Sequence, residues 1–362
     1  MTVQAIPHLA AMAPYKVADS TIPGVERVIH LASNESAVAP SPVAVAAYRE
    51  AANDLRLYPD AHFLALKHAI ADLEGIDPAR IVCGGGSMEL IQLLALSYLR
   101  PGDEVIYSQY AYLFILTAIN VVGATAVAAP ERNLLCNVDG ILERVTPATR
   151  AVFLVNPNNP TGALLPNSEV ERLRQSLRPD ILLVLDAAYA EFVEDLGYDP
   201  GTKLATSRDN VVMLRTFSKI YGLAAVRLGW AYCPPAVAEI LHKVRNPSNT
   251  SAPAQAAALA ALDDQDHVAR HRAENARRRD AFSARVAALG LTPYPSHGNF
   301  VLISFGGGDN KIADAAFDYF KTQGIILRPM ADYGLADCLR VTIGTEEEMD
   351  LALAALERFV RA

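Results

Sequence analysis

The sequence predicts an α/β protein in which helices cover a largely parallel sheet. From Ser41 onward, segments of helical length alternate with short runs rich in Val, Ile and Leu, which is the pattern of repeated βα units. Three successive apolar runs also lead into polar residues, Asn159, Asp186 and Lys219. Ligand-binding groups gather at the carboxyl ends of strands in open α/β sheets, so these residues are expected to meet at one edge.

The individual elements follow in order along the chain. Residues 1–30 are predicted to form an irregular arm, because three prolines and Gly24 interrupt regular structure there. Apolar spacing then predicts helices and strands up to the end of a large domain. The predicted helices cover residues 42–56, 62–74 and 88–98, and the predicted strands cover 80–83, 104–107, 151–155, 181–185 and 211–214.

A second, smaller lobe is predicted after a break near residues 246–251. One long charged helix, over about residues 254–289, leads into it, and its clearest strands are 301–304 and 339–343. The expected organisation therefore has three parts: an N-terminal arm (1–30), a large ligand-binding domain (31–245) and a small C-terminal domain (246–362).

Composition and charge limit the classes of function. The chain has 362 residues, of which 51% are hydrophobic and 20% charged, enough for a large buried core. The net charge is −8 and no basic block occurs, so neither nucleic acid nor an anionic membrane is expected as a partner. The N-terminus lacks the regions of a secretory signal, and no apolar run reaches membrane-spanning length. These features predict a cytoplasmic protein.

Cysteine and histidine spacing predicts neither a disulfide framework nor a metal site. His267 and His271 stand four apart on a predicted helix, but no third ligand accompanies them. The cysteines are widely separated and lack zinc-site spacing, so they are expected to be reduced, buried thiols: Cys83, Cys136, Cys233 and Cys338.

Residues 214–229 carry the most informative chemistry. Lys219 follows a predicted strand, next to the hydroxyls of Thr216 and Ser218, and Arg227 comes eight residues later. A lysine at the end of a buried strand is unfavourable unless its charge is used or removed, and a Schiff base with an aldehyde removes it. The hydroxyls and the arginine suit a phosphate. A ligand with both an aldehyde and a phosphate describes pyridoxal phosphate (PLP).

Alone, this motif is more often a surface lysine after a strand, but two further segments change that interpretation. Residues 151–162 end in a turn with Asn159, and residues 181–189 end in Asp186 and Tyr189. With Lys219, their order and spacing resemble the fold-type I PLP-dependent aminotransferases. Within that superfamily the chain resembles the histidinol-phosphate aminotransferase family from about residue 14 to its end, through segments 14–15, 31–35, 58–60, 86–89, 299–302 and 339–345.

The resemblance implies aminotransferase fold type I, with a mostly parallel seven-stranded sheet between helices and a smaller α+β domain. It also implies catalytic roles. Lys219 forms the Schiff base and later moves the proton between the substrate and the cofactor. Asp186 keeps the pyridine nitrogen protonated, which makes the ring a better electron sink. Asn159 and Tyr189 hydrogen-bond the cofactor's phenolic oxygen, and Asn159 also assists substrate binding.

A glycine-rich turn before a predicted helix resembles a phosphate cradle, in which backbone amides at a helix N-terminus bind the anion. The resemblance implies that the cofactor's phosphate is bound by the amides of two residues and the side chains of three others: Ser87, Met88, Thr216, Ser218 and Arg227.

The resemblance assigns further residues to the ring, the partner subunit and the substrate. Tyr112 stacks on the pyridine ring, and Tyr58 reaches the phosphate of the partner subunit, so a homodimer with shared active sites is expected. Arg340 binds the substrate α-carboxylate, which suits its planar fork. Tyr15 and Arg328 face the distal phosphate of the substrate.

The implied activity is transfer of the amino group of histidinol phosphate to 2-oxoglutarate, giving imidazole-acetol phosphate and glutamate in histidine biosynthesis. Three places depart from the family pattern, residues 36–39, Met88 and residues 247–250, and the first and third lie near the substrate side chain. An aromatic amino acid aminotransferase and a threonine-phosphate decarboxylase on the same scaffold therefore stay open as alternatives. A non-catalytic PLP-binding regulator needs a DNA-binding domain, for which the arm is too short.

Overall fold

The computed structural model describes residues 3–307 and 311–361, and these form alternating strands and helices. The strands are β1 (Ile29–His30), β2 (Ile81–Gly84), β3 (Glu104–Ser108), β4 (Thr125–Ala129), β5 (Thr149–Val155), β6 (Leu182–Asp186), β7 (Val211–Thr216), β8 (Gly229–Tyr232), β9 (Thr292–Pro293), β10 (Phe300–Ser304), β11 (Ile325–Ile326), β12 (Arg328–Pro329) and β13 (Cys338–Thr342). The helices are α1 (Pro7–Ala10), α2 (Pro42–Ala51), α3 (Leu64–Glu74), α4 (Ser87–Tyr98), α5 (Phe114–Val121), α6 (Val138–Leu142), α7 (Asn167–Ser176), α8 (Thr202–Ser207), α9 (Pro235–Val244), α10 (Ala252–Asp263), α11 (Gln265–Ala288), α12 (Lys311–Thr322) and α13 (Glu346–Arg361).

The large sheet has seven strands in the order β2-β8-β7-β6-β5-β3-β4. Strand β8 runs antiparallel to both of its neighbours, and the other four neighbouring pairs are parallel. Every residue of β6 and β7 is buried, as expected for central strands that are covered on both faces. The prediction of a mostly parallel seven-stranded sheet is confirmed.

A smaller antiparallel sheet, in the order β12-β13-β10-β9, follows in the C-terminal part. Its apolar face packs against α12 and α13 in a separate core cluster. The end of the arm belongs to the same cluster, because β1 pairs in parallel with β11 and Ile29 and Leu31 are buried there. The α+β character of this part agrees with the prediction.

Two predictions about element boundaries are wrong. The arm is not wholly irregular, since it contains α1, with Pro7 at its first position, and β1, which forms only through pairing with a distant strand. The single helix expected over residues 254–289 is two helices. Asp264 separates them with a non-helical backbone and caps the second, its carboxylate accepting a hydrogen bond from His267 N.

The register of the large sheet brings the polar strand ends together. Val155 of β5 lies beside Asp186 of β6, which in turn lies beside Leu214 of β7. The segments that leave these strands therefore start at the same edge of the sheet. The predicted convergence of Asn159, Asp186 and Lys219 is a consequence of this parallel register.

No helix of the described residues is both long enough and apolar enough to span a membrane.

Candidate active site

A cavity of about 440 Å³ opens at this edge of the sheet, with walls from the arm, the strand ends and the small lobe. The predicted site residues that line it are Tyr15, Ser87, Met88, Tyr112, Asn159, Asp186, Tyr189, Thr216, Ser218, Lys219, Arg227, Arg328 and Arg340. Tyr58 is the predicted residue that does not line it; its side chain lies on the surface and is 91% exposed. The structure thus gathers in one cavity every predicted residue expected from the same chain.

The amine of Lys219 sits in the cavity wall just after β7. Its Nζ donates hydrogen bonds to Asn34 O at 3.0 Å and Ser33 O at 3.3 Å. Burial lowers the pKa of Lys219 to about 8, and the charge of Arg340 lowers it further while Glu35 opposes that shift. At pH 7 about a tenth of this amine is therefore unprotonated and nucleophilic, far more than of an ordinary lysine.

Asp186 ends β6 as a buried carboxylate, 3% exposed. Its Oδ1 accepts a hydrogen bond from Ala188 N at 3.2 Å, and no ion pair to it forms within residues 3–307 and 311–361. Burial raises its pKa to about 6, opposed by the Ala188 amide and the charge of Lys219. A buried carboxylate without a close cation is suited to a cationic ligand group, such as a protonated ring nitrogen.

Hydrogen bonds connect Tyr189 and Asn159, the other two predicted polar residues at the strand ends, to Asn34 and to Arg340 of the small lobe. Asn34 Nδ2 donates to Tyr189 OH at 2.9 Å, and burial raises the pKa of Tyr189 to about 12. Arg340 Nη1 donates to Asn159 Oδ1, and Arg340 Nη2 donates to Ala32 O at 2.6 Å. Its Nε is buried and has no partner among the described residues, so the guanidinium keeps donor capacity.

An anion cradle forms where α4 begins. Gly86 has φ +89°, and a Cβ there would lie 2.9 Å from Arg227 Nη2, so glycine lets the guanidinium approach the backbone. Ser87 N stands at the helix N-terminus, where amides favour anions. Arg227 Nη1 donates to Ser218 Oγ at 3.5 Å, and Thr216 Oγ1 donates to Ser218 Oγ at 3.0 Å, so both hydroxyls lie beside the arginine. The arrangement suits a phosphate.

The opposite end of the cavity is built from the arm and the small lobe. Lys16 Nζ forms an ion pair with Asp332 Oδ1 at 2.8 Å, and Arg328 Nη2 donates to Lys16 O at 2.9 Å. The rings of Tyr15 and Tyr112 contact edge to face with centroids 6.3 Å apart. These contacts hold the arm against the cavity.

Sequence reasoning gave no binding or catalytic role to several residues at this site, and it treated Asn34 as a structural anchor. Tyr333 and Glu35 line the cavity, Asn34 binds Tyr189, and Glu89 accepts hydrogen bonds from the Gly85 amide and from Asn249 Nδ2. Asn34 and Glu35 lie inside a segment that marks the family resemblance, which was the available signal. Tyr333 carries no local signal, because only the pairing of β12 with β13 brings it there.

No group of three potential metal ligands occurs among residues 3–307 and 311–361. His267 Nε2 hydrogen-bonds Ala39 O at 3.1 Å, and His271 Nδ1 hydrogen-bonds Ile220 O at 2.6 Å, so both histidines have structural contacts. The four cysteines are buried free thiols.

Comparison with known proteins points to one family. The family described as Aminotransferase class I and II matches residues 26–356. Curated proteins named histidinol-phosphate aminotransferase from Rhodospirillum centenum and Paramagnetospirillum magneticum are each 49% identical to this chain. The alignments cover 97% and 98% of this chain and 96% and 98% of those proteins.

Solved structures give the same result. A crystal structure of histidinol-phosphate aminotransferase from Sinorhizobium meliloti, in complex with pyridoxal-5'-phosphate, is similar with a TM-score of 0.92 and 31% identity over 100% of this chain and 98% of that chain. Aspartate aminotransferase from Thermus thermophilus with maleate has a TM-score of 0.86 at 22% identity, covering 99% of this chain and 100% of that one, which is a likeness of fold.

Proposed function

Because this chain belongs to the class I and II aminotransferases, in the histidinol-phosphate aminotransferase family, we propose that it transfers the amino group of histidinol phosphate to 2-oxoglutarate. The products are imidazole-acetol phosphate and glutamate, and the step belongs to histidine biosynthesis. The observation that carries the proposal is the single cavity that joins the amine of Lys219, the buried carboxylate of Asp186 and the guanidinium of Arg340.

The residues of the cavity fit pyridoxal phosphate as the cofactor. The N-terminus of α4 and Arg227 suit its phosphate, and the amine of Lys219 suits its aldehyde. Asp186, buried without a close cation among the described residues, suits the ring nitrogen. When bound, pyridoxal phosphate supplies an aldehyde for the amino group and a ring that accepts the electron pair released at the substrate carbon.

Four side chains then hold or move protons and hydrogen bonds at the reacting atoms. The Nζ of Lys219, with its pKa lowered to about 8, takes the proton from the substrate α-carbon near neutral pH. Asp186 holds a proton on the ring nitrogen, and burial strengthens that pairing. Tyr189, whose pKa of about 12 keeps it protonated, donates to the cofactor's phenolic oxygen together with Asn159.

Substrate binding divides between two arginines. Arg340 binds the α-carboxylate of glutamate and of 2-oxoglutarate through its planar fork, beside Asn159. Histidinol phosphate has no carboxylate and carries a phosphate ester instead, so Arg328 and Tyr15 serve that donor. The two half-reactions thus use different anion contacts in one cavity.

A homodimer is part of the proposal. Leu55, Leu57, Tyr58 and Leu64 are between 54% and 91% exposed, and such an exposed apolar group favours burial by another protein. A second copy covering it would let Tyr58 reach the partner's phosphate cradle. A solution mass of one chain by light scattering would contradict this part. Cytoplasmic location is proposed with it, since all four thiols are free.

The test is single-turnover spectroscopy on the purified holoenzyme. Histidinol phosphate, phenylalanine and threonine phosphate are added separately without a keto acid, and the visible absorbance of the lysine-bound cofactor is followed. We expect rapid loss of that absorbance with histidinol phosphate alone, and recovery on addition of 2-oxoglutarate.

The other outcomes contradict the proposal in distinct ways. Conversion mainly by phenylalanine would identify an aromatic aminotransferase and would locate the change near residues 36–39 and 247–250. Release of CO₂ from threonine phosphate, without need for a keto acid, would identify a decarboxylase.

A further inference from the structure

Tyr333 is a buried tyrosine that faces the cavity and has no role in the function proposed above. Strands β12 and β13 pair antiparallel with Arg328 opposite Arg340, so the two arginines stand side by side on the small sheet. Between these strands, residues 331–333 form one turn of 3₁₀-helix that ends at Gly334, with φ +80°. This turn places Tyr333, 6% exposed, in the cavity wall with both arginines.

The phenol of Tyr333 is kept as a neutral hydrogen-bond donor. Burial raises its pKa, while the charges of Arg340 and Arg328 and the amide of Leu113 act in the opposite direction. Guanidinium groups and the backbone N–H of Leu113 are donors only, so none of these three neighbours accepts the hydroxyl proton. That proton is free to bind an anion that the two arginines also attract.

The charges around Tyr333 favour an anion with more than one negative charge. Arg328 and Arg340 form no ion pair with a carboxylate of residues 3–307 and 311–361, and their N–H groups donate to Lys16 O, Ala32 O and Asn159 Oδ1. Asp332, next to Tyr333 in the chain, is already paired with Lys16, and Glu35 lines the cavity too, where its charge acts on Lys219. Two uncompensated guanidinium groups beside one phenol suit a phosphate monoester better than a carboxylate.

We propose that Tyr333 is a specificity-determining residue, whose hydroxyl donates a hydrogen bond to the phosphate of the amino donor at the end of the cavity formed by Tyr15 and Arg328. The inference rests on the proposed function and deepens it, because it names a third contact to the group that distinguishes histidinol phosphate from histidinol. The phenol selects the phosphorylated donor, and the cofactor chemistry does not depend on it.

The test compares Tyr333→Phe, which removes only the hydroxyl, with the matched control Tyr294→Phe. Tyr294 packs against the same apolar cluster but does not line the cavity. Single-turnover kcat/KM is measured on holoenzyme for histidinol phosphate and for histidinol. Because a hydrogen bond to a charged group is lost, we expect Tyr333→Phe to lower kcat/KM for histidinol phosphate by about 10- to 100-fold. The value for histidinol should change by less than about threefold, since that donor lacks the phosphate.

The outcomes separate this inference from the function on which it rests. A fall in the ratio of the two kcat/KM values in Tyr333→Phe, with the ratio of Tyr294→Phe unchanged, supports the inference. An unchanged ratio in Tyr333→Phe, or an equal loss for both donors, overturns it while leaving the proposed function in place. A wild-type enzyme that shows no preference for histidinol phosphate over histidinol overturns the proposed function itself, and the inference with it.

Discussion

The two ends of the cavity are built in different ways. The cofactor end stands on the strand ends of the seven-stranded sheet, and Asp186, Thr216 and Ser218 there are at most 8% exposed. The substrate end is made by the arm and a one-turn helix. Its ion pair between Lys16 and Asp332 has side chains that are 73% and 44% exposed.

We infer from this difference that the cofactor end holds the catalytic groups in a fixed geometry, whereas the substrate end can change to accept different amino donors. Side chains on buried central strands are held by packing, which suits the precise geometry that proton transfer needs. Exposed ion pairs contribute little stability and are screened by salt, so the arm is held weakly and is easily altered. We therefore expect substitutions at the cofactor end to abolish turnover and those at the substrate end to change donor preference.

The largest effect is expected from Lys219→Ala. Loss of the amine removes both the attachment of the cofactor and the proton carrier, so kcat should fall by at least about 10³-fold with any amino donor. Lys203→Ala is the control, because this lysine is exposed on α8 and should leave kcat unchanged. Circular dichroism checks that both variants are folded. If Lys219→Ala kept a tenth of wild-type turnover, the central role given to the amine would be wrong.

Asp186→Asn should lower kcat by about 100-fold, because a neutral amide no longer holds the proton on the ring nitrogen. The same substitution should stabilise the cofactor-free protein at pH 8. Burial raises the folded-state pKa of Asp186 from 3.8 to about 6, so ionising it in the folded state is unfavourable. The expected gain is on the order of 2–3 kcal/mol in the free energy of unfolding.

The stability gained by Asp186→Asn should depend on pH, and the direction of that dependence follows from the raised pKa of Asp186. A carboxyl with a raised folded-state pKa contributes stability below its unfolded pKa, and that contribution is lost as pH rises through the folded value. The gain from Asp186→Asn should therefore appear between about pH 4 and pH 6 and vanish at lower pH. Asp180→Asn should change stability at pH 8 in the opposite direction, because hydrogen bonds from Arg178 lower the pKa of Asp180. Urea unfolding of the cofactor-free protein at pH 4 and pH 8 measures both, and a loss of stability in Asp186→Asn at pH 8 would contradict the argument.

The contrast between the two ends of the cavity also explains which site residues could be predicted from the sequence. Lys219, Asp186 and Asn159 each lie at the end of an apolar strand or within four residues after it, so local pattern and strand order were enough to place them together. The bond from Asn34 to Tyr189 joins residues 155 positions apart, and no local pattern encodes it.

Features of the small lobe were harder to predict for the same physical reason. Tyr333 reaches the cavity only through the pairing of β12 with β13, and β1 exists only because β11 lies beside it. The break at Asp264 interrupts a sequence of otherwise strong helix formers, so helical periodicity alone predicted one continuous helix.

The smallest effect is expected from Lys16→Ala at the substrate end. The ion pair that it removes is exposed, so the free energy of unfolding should change by less than about 1 kcal/mol. Because the arm would then be bound less tightly, KM for histidinol phosphate should rise by only about two- to fivefold with kcat unchanged. The difference in KM between Lys16→Ala and the wild type should shrink as salt is added, since salt screens the ion pair in the wild type. Lys243→Ala is the matched control, because it breaks an equally exposed pair, with Glu239 on α9, among residues that do not line the cavity. Steady-state kinetics at low and high ionic strength measure both variants. A fall in kcat as large as that of Asp186→Asn would mean that the arm is part of the fixed chemical machinery, and the distinction between the two ends of the cavity would not hold.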